Sequence, residues 1–161
     1  MQKLEKKLNK ESFKFLKELV KSWQYSWKDI KEKVDIENWG IIWKWNLNIR
    51  WTKVKKVKAK RIEWNLYVNW AEYLEDIEVE EDILWYLDVR WTKIKRIKAK
   101  KIAWFLDAEW EEYLEDIEVE EIGWNININR TNIDFQKKIL EKIKKWELKV
   151  KWKVVFWGDF K

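Results

Sequence analysis

The chain has no histidine, no cysteine and no proline, and it has only three glycines in 161 residues. The lack of histidine removes the most common general base and the most common ligand of transition metals. The lack of cysteine excludes disulfides and thiolate sites, so the redox compartment is not readable from the sequence. Turns normally use glycine, proline, asparagine or aspartate, and this chain must form most of its turns without the first two.

Two kinds of targeting segment are also missing. No apolar run is long enough to span a membrane, and residues 1–6 lack the apolar core of a signal peptide. We therefore predict a cytoplasmic protein with no membrane span. The length suits one structural domain.

Tryptophan is abundant in places where glycine would be expected. The 16 tryptophans include four pairs whose members are six residues apart, and each pair brackets a short strand-like run. A residue at such a boundary lies in a turn, where many conformations need a positive φ that a bulky side chain resists. The pairs are Trp45 with Trp51, Trp64 with Trp70, Trp85 with Trp91, and Trp104 with Trp110.

Each of the three glycines adjoins a tryptophan, in Trp39-Gly40, Gly123-Trp124 and Trp157-Gly158. We therefore hypothesise that the source gene uses the UGA codon for glycine, as some bacterial lineages do, and that tryptophan results from translation with a different table. The alternatives are a natural tryptophan-rich protein and a designed chain. Design practice restricts tryptophan to sites where its N–H finds a partner, which disfavours the second alternative.

A repeat of 20 residues governs the middle of the chain. The basic segment 50–64 recurs at 90–104, and acidic versions lie at 73–81 and 113–121. A period of this length is typical of a solenoid, in which each coil stacks on the next. The apolar columns predicted to point inward are Val54, Leu74, Ile94, Leu114; Val57, Ile77, Ile97, Ile117; Ala59, Val79, Ala99, Val119; Leu47, Leu66, Leu87, Leu106, Ile126; and Ile49, Val68, Val89, Ala108, Ile128.

The positions between these columns alternate in sign from coil to coil. Stacked coils lie about 4.8 Å apart, so each basic residue is predicted to contact an acidic residue of the next coil. We interpret these ladders as structural rather than as a binding surface, because a slip by one coil would put lysine against lysine. The ladders are Lys55, Glu75, Lys95, Glu115; Lys56, Asp76, Arg96, Asp116; Lys58, Glu78, Lys98, Glu118; Lys60, Glu80, Lys100, Glu120; and Arg61, Glu81, Lys101, Glu121.

The two ends are predicted to cap the solenoid. Apolar residues at helical spacing predict an amphipathic helix over residues 3–21, followed by an irregular first coil at 28–43. A cap explains this helix better than membrane or partner contact, because a solenoid must cover its end coils. At the other end, Asp134 is predicted to N-cap a second helix that reaches residue 145, and strands are predicted at 147–151 and 153–156.

The repeats resemble leucine-rich repeats. Residues 47–54 read L-N-I-R-W-T-K-V, residues 87–94 read L-D-V-R-W-T-K-I, and residues 126–133 read I-N-I-N-R-T-N-I, close to the pattern L-x-L-x-x-N-x-L. With glycine at the tryptophan positions, the stretch 45–133 is similar to short bacterial and phage proteins of this kind. The repeats depart from the leucine-rich-repeat pattern in two ways, so a generic parallel β-solenoid is an alternative fold. The Leu-Pro step is absent, and the asparagine position holds Thr52, Ala71, Thr92, Glu111 and Thr131.

The resemblance implies that partners bind on the face formed by the L-x-L strands. Aromatic residues flanked by arginine and aspartate project from that face, as at an interaction hot spot. The alternative is a solvated surface whose aromatic pairs only stabilise the sheet. The predicted partner-binding residues are Tyr67, Tyr86, Phe105, Asp88, Asp107, Arg50 and Arg90.

Asp88 and Asp107 are predicted to be neighbours on successive coils. Adjacent carboxylates can bind a cation, or act as acid and nucleophile in glycoside hydrolysis. The sequence shows no glycine-rich phosphate loop and no supporting catalytic residues, so we assign no catalytic residue, no cofactor and no metal.

Nucleic acid is a third class of partner. A net charge of +6 is typical of proteins that bind nucleic acid. However, residues 1–33 carry +5, residues 136–161 carry +6, and the repeats between them carry −5. Acidic rows interrupt every basic row, so the repeats offer no continuous track for phosphates. Only the lysine-rich ends could bind nucleic acid or a membrane surface, and we rank this alternative below protein binding.

The sequence thus predicts a mainly β protein, a parallel β-solenoid of the leucine-rich-repeat type with helices and strands as caps. Residues 1–44 are expected to form the N-terminal cap and irregular first coil, 45–133 the solenoid, and 134–161 the C-terminal cap. The expected function is a non-enzymatic scaffold that binds an unknown protein partner through its strand face. The alternative is a structural solenoid that associates with itself.

Overall fold

A computed structural model of the chain describes residues 6–156 and shows a parallel β-solenoid of about four coils. Each coil contributes strand segments to two sheets, and the core lies between the sheets. The predicted mainly β class and the parallel β-solenoid are therefore confirmed. Coils 1 to 4 are defined here as residues 46–64, 65–85, 86–104 and 105–124.

The secondary structure consists of three described helices and two sheets. The helices are α1 (Lys10–Lys21), α2 (Trp27–Lys33) and α3 (Ile133–Lys144). Sheet A contains β1 (Val34–Glu37), β2 (Gly40–Trp43), β4 (Lys56–Ala59), β5 (Arg61–Ile62), β7 (Asp76–Val79), β8 (Asp82–Ile83), β10 (Arg96–Ile102), β12 (Asp116–Ile122) and β14 (Lys149–Val150). Sheet B contains β3 (Leu47–Asn48), β6 (Leu66–Tyr67), β9 (Leu87–Asp88), β11 (Leu106–Asp107), β13 (Asn125–Asn127) and β15 (Lys153–Val155).

Residue n meets residue n + 20 along most of sheet A, as the repeat predicts. Lys58, Glu78, Lys98 and Glu118 pair in this order through four successive coils. The Nζ of Lys58 contacts Oε1 of Glu78, and the Nζ of Lys56 lies 2.7 Å from the other carboxylate oxygen. Every apolar position predicted to point inward is at most 4% exposed, so the solenoid core is the predicted one.

One predicted charge ladder is wrong by a residue. Lys101 was expected to stack on Glu81, but it pairs with Asp82. Val79 keeps the 20-residue spacing to its partner in coil 1, whereas the spacing at Ile83 is 21. An extra residue therefore lies between Val79 and Ile83 as a bulge. The alternation of sign survives, because Asp82 is also acidic.

The N-terminal helix begins later than predicted. The side chain of Asn9 caps it by accepting a hydrogen bond from the amide of Ser12, so α1 starts at Lys10 rather than at residue 3. Residues 1–5 lie outside the described part. The sequence reasoning missed α2, whose signal is a capping box: Ser26 accepts from the amide of Asp29, and the Asp29 carboxylate accepts from the amide of Ser26.

Residues 28–43, expected to form an irregular coil, contain α2 and an antiparallel hairpin of β1 and β2. Strand β2 pairs with β5 and adds a rung to sheet A, while α1 packs on β4. The hydroxyl of Tyr25 covers the edge of sheet B, where it accepts a hydrogen bond from the amide of Asn48 at 2.9 Å. Both sheets are thus shielded at this end.

The C-terminal cap differs from the prediction at its first helix. Asn132, not Asp134, is the N-cap, and its side chain accepts a hydrogen bond from the amide of Asp134 at 2.8 Å. The two predicted closing strands are present as β14 and β15, which pair with β12 and β13. Strand β13 begins a fifth coil to which β14 belongs, and β15 adds a further rung to sheet B. Residues 157–161 lie outside the described part.

Tryptophan occupies left-handed turn positions throughout the chain. Trp51, Trp70, Trp91 and Trp110 form the same corner of successive coils, with φ of 59°, 66°, 60° and 66°. Trp23 and Trp146 follow α1 and α3 with φ of 61° and 62°, and Asn38 and Trp39 form the hairpin loop with φ of 48° and 66°. Glycine is the usual residue after a helix, and Asn-Gly is the usual pair in such a loop.

Candidate binding face

The candidate site is the outer face of sheet B, where alternate side chains point away from the core. All seven residues predicted for partner binding lie on or next to its strands. The predicted stacking of Asp88 on Asp107 is confirmed by the pairing of β9 with β11.

A row of aromatic rings crosses coils 2, 3 and 4 on this face. The ring centroids of Tyr67 and Tyr86 are 5.9 Å apart, and those of Tyr86 and Phe105 are 5.4 Å apart with nearly parallel planes. The guanidinium of Arg50 lies 4.7 Å from the centroid of Tyr67 and extends the row into coil 1. Its Nε also donates to the side-chain oxygen of Asn69 at 2.6 Å. The row is therefore restrained before any partner arrives.

A hydrogen-bond network of charged groups lies beside the aromatic row. Arg90 donates Nε and Nη2 to the two carboxylate oxygens of Asp88, at 3.0 and 2.9 Å. Its Nε also lies 3.2 Å from Oδ2 of Asp107. The Tyr86 hydroxyl donates to that same oxygen at 3.1 Å, and Nδ2 of Asn127 donates to the other at 3.0 Å. The network therefore fixes Tyr86 and Arg90 in one arrangement.

The two aspartates of the network are engaged rather than reactive. They are 1% and 7% exposed, and each of their carboxylate oxygens accepts at least one hydrogen bond or ion pair. Burial raises the pKa of Asp107 against the opposing effects of its hydrogen bonds and of Arg90. Burial and the neighbouring aspartates also raise the pKa of Tyr86, which stays a neutral donor. This arrangement does not favour the glycosidase or cation-binding alternatives. In residues 6–156, no cluster of three or more acidic side chains is placed to hold a metal ion.

A groove of about 570 Å³ runs beside the aromatic row. The periodicity of the sequence predicts these tryptophans only as turn residues and does not predict the groove. Trp64 and Trp85 stack with centroids 5.7 Å apart, whereas Trp104 meets Trp85 edge-on. The groove is lined by Trp64, Trp85, Trp104 and Trp124, by Asn65 and Asn125, and by the three rings of the row.

Glu111 is a buried acid that the sequence reasoning also missed. Its side chain is fully buried and accepts hydrogen bonds from the amide of Thr92 at 2.7 Å and from the hydroxyl of Thr92 at 3.0 Å. Burial raises its pKa to about 8. The sequence carries one signal for it: the equivalent position of the other coils holds threonine or alanine.

No protein-family model, curated protein or solved structure matches this chain. In the described part, no helix combines the length and the apolar character needed to cross a membrane.

Proposed function

We propose that the chain is a non-catalytic, cytoplasmic repeat scaffold that binds a protein partner through the outer face of sheet B. The observation that carries the proposal is the row of Tyr67, Tyr86 and Phe105, in which Tyr67 meets Tyr86 edge-on and Tyr86 stacks on Phe105. Arg50 contacts one end of the row, and Asp107 accepts a hydrogen bond from the Tyr86 hydroxyl. Aromatic and arginine side chains dominate the binding energy of protein interfaces. Groups that are ordered before binding lose less conformational entropy when the partner arrives.

The resemblance to leucine-rich repeats supports the same face, because proteins of that kind bind partners through their L-x-L strands. The polar positions around the aromatic row also suit an interface. Asn46 and Asn65 precede the row in coils 1 and 2, Asn125 follows it after coil 4, and all three offer amide groups that donate and accept hydrogen bonds. An apolar centre with a polar rim is the usual composition of an interface between separately folded proteins.

The test is a comparison of two double variants. Y67A/Y86A removes the centre of the row, whereas Y73A/Y113A removes two tyrosines that are 49% and 51% exposed outside this face. We expect affinity capture from the source organism, followed by quantitative mass spectrometry, to yield a partner that the native chain and Y73A/Y113A retain and Y67A/Y86A loses. With the purified partner, Y67A/Y86A should weaken binding at least about tenfold, the effect of losing one hot-spot residue.

Two results would contradict the proposal. One is a partner that Y67A/Y86A retains at native affinity. The other is equal loss by both double variants, which would point to a general effect of removing exposed aromatic side chains. Circular dichroism and urea unfolding of both variants establish that each is folded.

We further propose that glycine stands at many of the tryptophan positions in the natural protein. Seven of the nine described non-glycine residues with positive φ are tryptophans. The left-handed conformation costs roughly 1–2 kcal/mol for a residue with a side chain. Seven such residues would cost on the order of 10 kcal/mol, which is comparable to the whole stability of a domain. Trp43 is different, because it is fully buried against Tyr25 and glycine there would leave a cavity.

Peptide mapping by mass spectrometry of the protein purified from its source decides this point. We expect glycine at positions 51, 70, 91 and 110. Tryptophan at position 51 would contradict the proposal that glycine stands there in the natural protein. Glycine at positions 64, 85, 104 and 124 would remove the walls of the groove. The row of Tyr67, Tyr86 and Phe105 would remain, so the binding proposal does not depend on the identity of these residues.

A further inference from the structure

The corner at Thr92 in coil 3, which contacts the side chain of Glu111, departs from the hydrogen-bond pattern of the other coils. At most of these corners the residue in this position donates its amide N–H to the carbonyl three residues earlier, which closes the turn. At Thr92 the amide donates instead to Oε1 of Glu111, on the next coil. The turn-closing bonds run from Thr52 to Ile49, from Ala71 to Val68, from Glu111 to Ala108 and from Thr131 to Ile128.

The carboxyl group of Glu111 thus replaces a backbone carbonyl as the acceptor that closes the corner of coil 3. Its second oxygen meets the hydroxyl of Thr92 at 3.0 Å, and that hydroxyl oxygen in turn accepts from the amide of Ile94 at 3.2 Å. One side chain of coil 4 therefore joins Thr92 of coil 3 through two hydrogen bonds, one from its backbone amide and one from its hydroxyl. Complete burial keeps water away from both.

The charged groups around this corner do not favour ionisation. Asp88, on β9, adds a negative charge that opposes a second one. Arg90 is engaged with Asp88 and Asp107, and the guanidinium of Arg130 lies over the ring of Trp110 at 4.0 Å. The two hydrogen bonds that Thr92 donates favour the ionised form of Glu111, but the cost of burying a carboxylate outweighs them and favours the protonated form.

We propose that Glu111 is a proton-operated latch between coils 3 and 4. In its protonated form it closes the corner at Thr92. On ionisation the carboxylate requires water, and the corner opens to admit it. The amide of Thr92 can then return to the turn-closing bond that the other corners use, so coil 4 and the elements after it lose an attachment to coil 3. This inference does not rest on the proposed binding function.

The direction of the pH effect follows from the two protonation states. The pKa of Glu111 is about 8 in the folded chain, against an ordinary value of 4.5. Between these values the folded chain holds a proton that the unfolded chain has released, so raising the pH favours opening. The contribution is complete below about pH 4.5 and is lost as the pH rises towards about 8.

Urea unfolding at a series of pH values tests the latch. The variants are E111Q, an isostere of the protonated acid, and E111T, which introduces the threonine of the equivalent corners. Thr52 and Thr131 donate their hydroxyls to the carbonyls of Ile49 and Ile128 at 2.7 and 2.8 Å, and E111T can make the same bond to Ala108. The control is E112Q, at an exposed neighbouring position.

For the native chain and E112Q, we expect the unfolding constant to rise up to about tenfold per pH unit between about pH 6 and pH 8. E111Q and E111T should remove most of this rise. Equal slopes for the native chain and E111T would overturn the proposal.

Hydrogen exchange of the native chain tests the latch without any variant, and so also if both Glu111 variants fail to fold. After correction for the intrinsic pH dependence of exchange, protection of the Thr92 amide and of coil 4 should fall with rising pH while that of coils 1 and 2 stays constant. Uniform protection over the same range would overturn the latch.

Discussion

At the scale of single residues, the tryptophans that follow the helices carry strain with little compensation. Trp23 follows α1 and Trp146 follows α3, both in the left-handed conformation. Trp23 and Trp146 are 96% and 85% exposed, so burial of their indole rings contributes almost no stabilisation. At Trp51, Trp70, Trp91 and Trp110, by contrast, ring stacking at 5.2–5.5 Å offsets part of the same strain.

We therefore expect W23G and W146G each to raise the free energy of unfolding by about 1 kcal/mol, because glycine adopts this conformation without strain. The measurement is equilibrium unfolding in urea. The matched control is W45G, since Trp45 is 56% exposed but does not have a positive φ. W45G should leave stability unchanged or lower it. A loss of stability in all three variants would show that the left-handed tryptophans are not strained.

The sequence predicts the composition of the candidate site better than its internal contacts. Tyr67, Tyr86 and Phe105 come together because alternation along a strand and the spacing between coils fix which side chains share a face. The bond from the Tyr86 hydroxyl to Asp107 depends on side-chain torsions, which periodicity does not specify. The burial of Glu111 depends on the shape of a corner, and its only trace in the sequence is an acid in a column of threonine and alanine.

At the scale of strands, we expect the charge ladders to set the register between coils. Glu78 illustrates this, because it is bound by lysines from coil 1 on both sides of its carboxylate. Burial alone would raise its pKa, but Lys56 and Lys58 together hold the pKa down to about 2. Its folded value is below the ordinary 4.5, so its contribution to stability is present above pH 4.5 and is lost as the pH falls towards 2.

We expect E78K to lower the free energy of unfolding by about 1–3 kcal/mol in low salt, because it puts lysine against Lys58 and Lys98. In about 1 M sodium chloride the loss should shrink, since the Debye length falls to about 3 Å. Urea unfolding at both salt concentrations measures the difference. The control E72K places the same charge at an exposed corner of coil 2, and its effect should stay within about 0.5 kcal/mol in either salt. If E78K lost the same stability at both salt concentrations, the charge ladders would not be what sets the register.

The register of the strands was predictable because alternating charge and a constant period point to the same pairing. The bulge at Asp82 was not, since coil 2 has an extra residue whose position the repeat does not specify. Helix α2 was missed because its seven residues are too few to show helical periodicity. The two failures have different causes: the bulge is a local departure within the repeat, whereas α2 lies outside the repeat.

At the scale of the whole molecule, the two ends of the solenoid determine whether one copy can associate with another. Strand β14 lies at one end of sheet A and β1 at the other. The amide of Lys151 donates to the carbonyl of Ile122, so the alternation of a strand turns the backbone groups of Val150 towards the open side. An open edge can pair with a second copy, and natural sheets prevent this with charged side chains at the edge.

Like charge at the two ends opposes such pairing. Residues 1–33 carry +5 and residues 136–161 carry +6, so a head-to-tail contact brings two positive surfaces together. We therefore expect a monomer of 20.3 kDa in light scattering at about 0.15 M salt, where the Debye length is about 8 Å. Replacing the edge lysines in K149Q/K151Q should lower this barrier and increase association at high protein concentration, whereas K53Q/K93Q, at two exposed corners of the coils, should not. Filaments of the native chain would contradict the argument and favour a self-assembling solenoid, because the attraction between edges would then exceed the repulsion between ends.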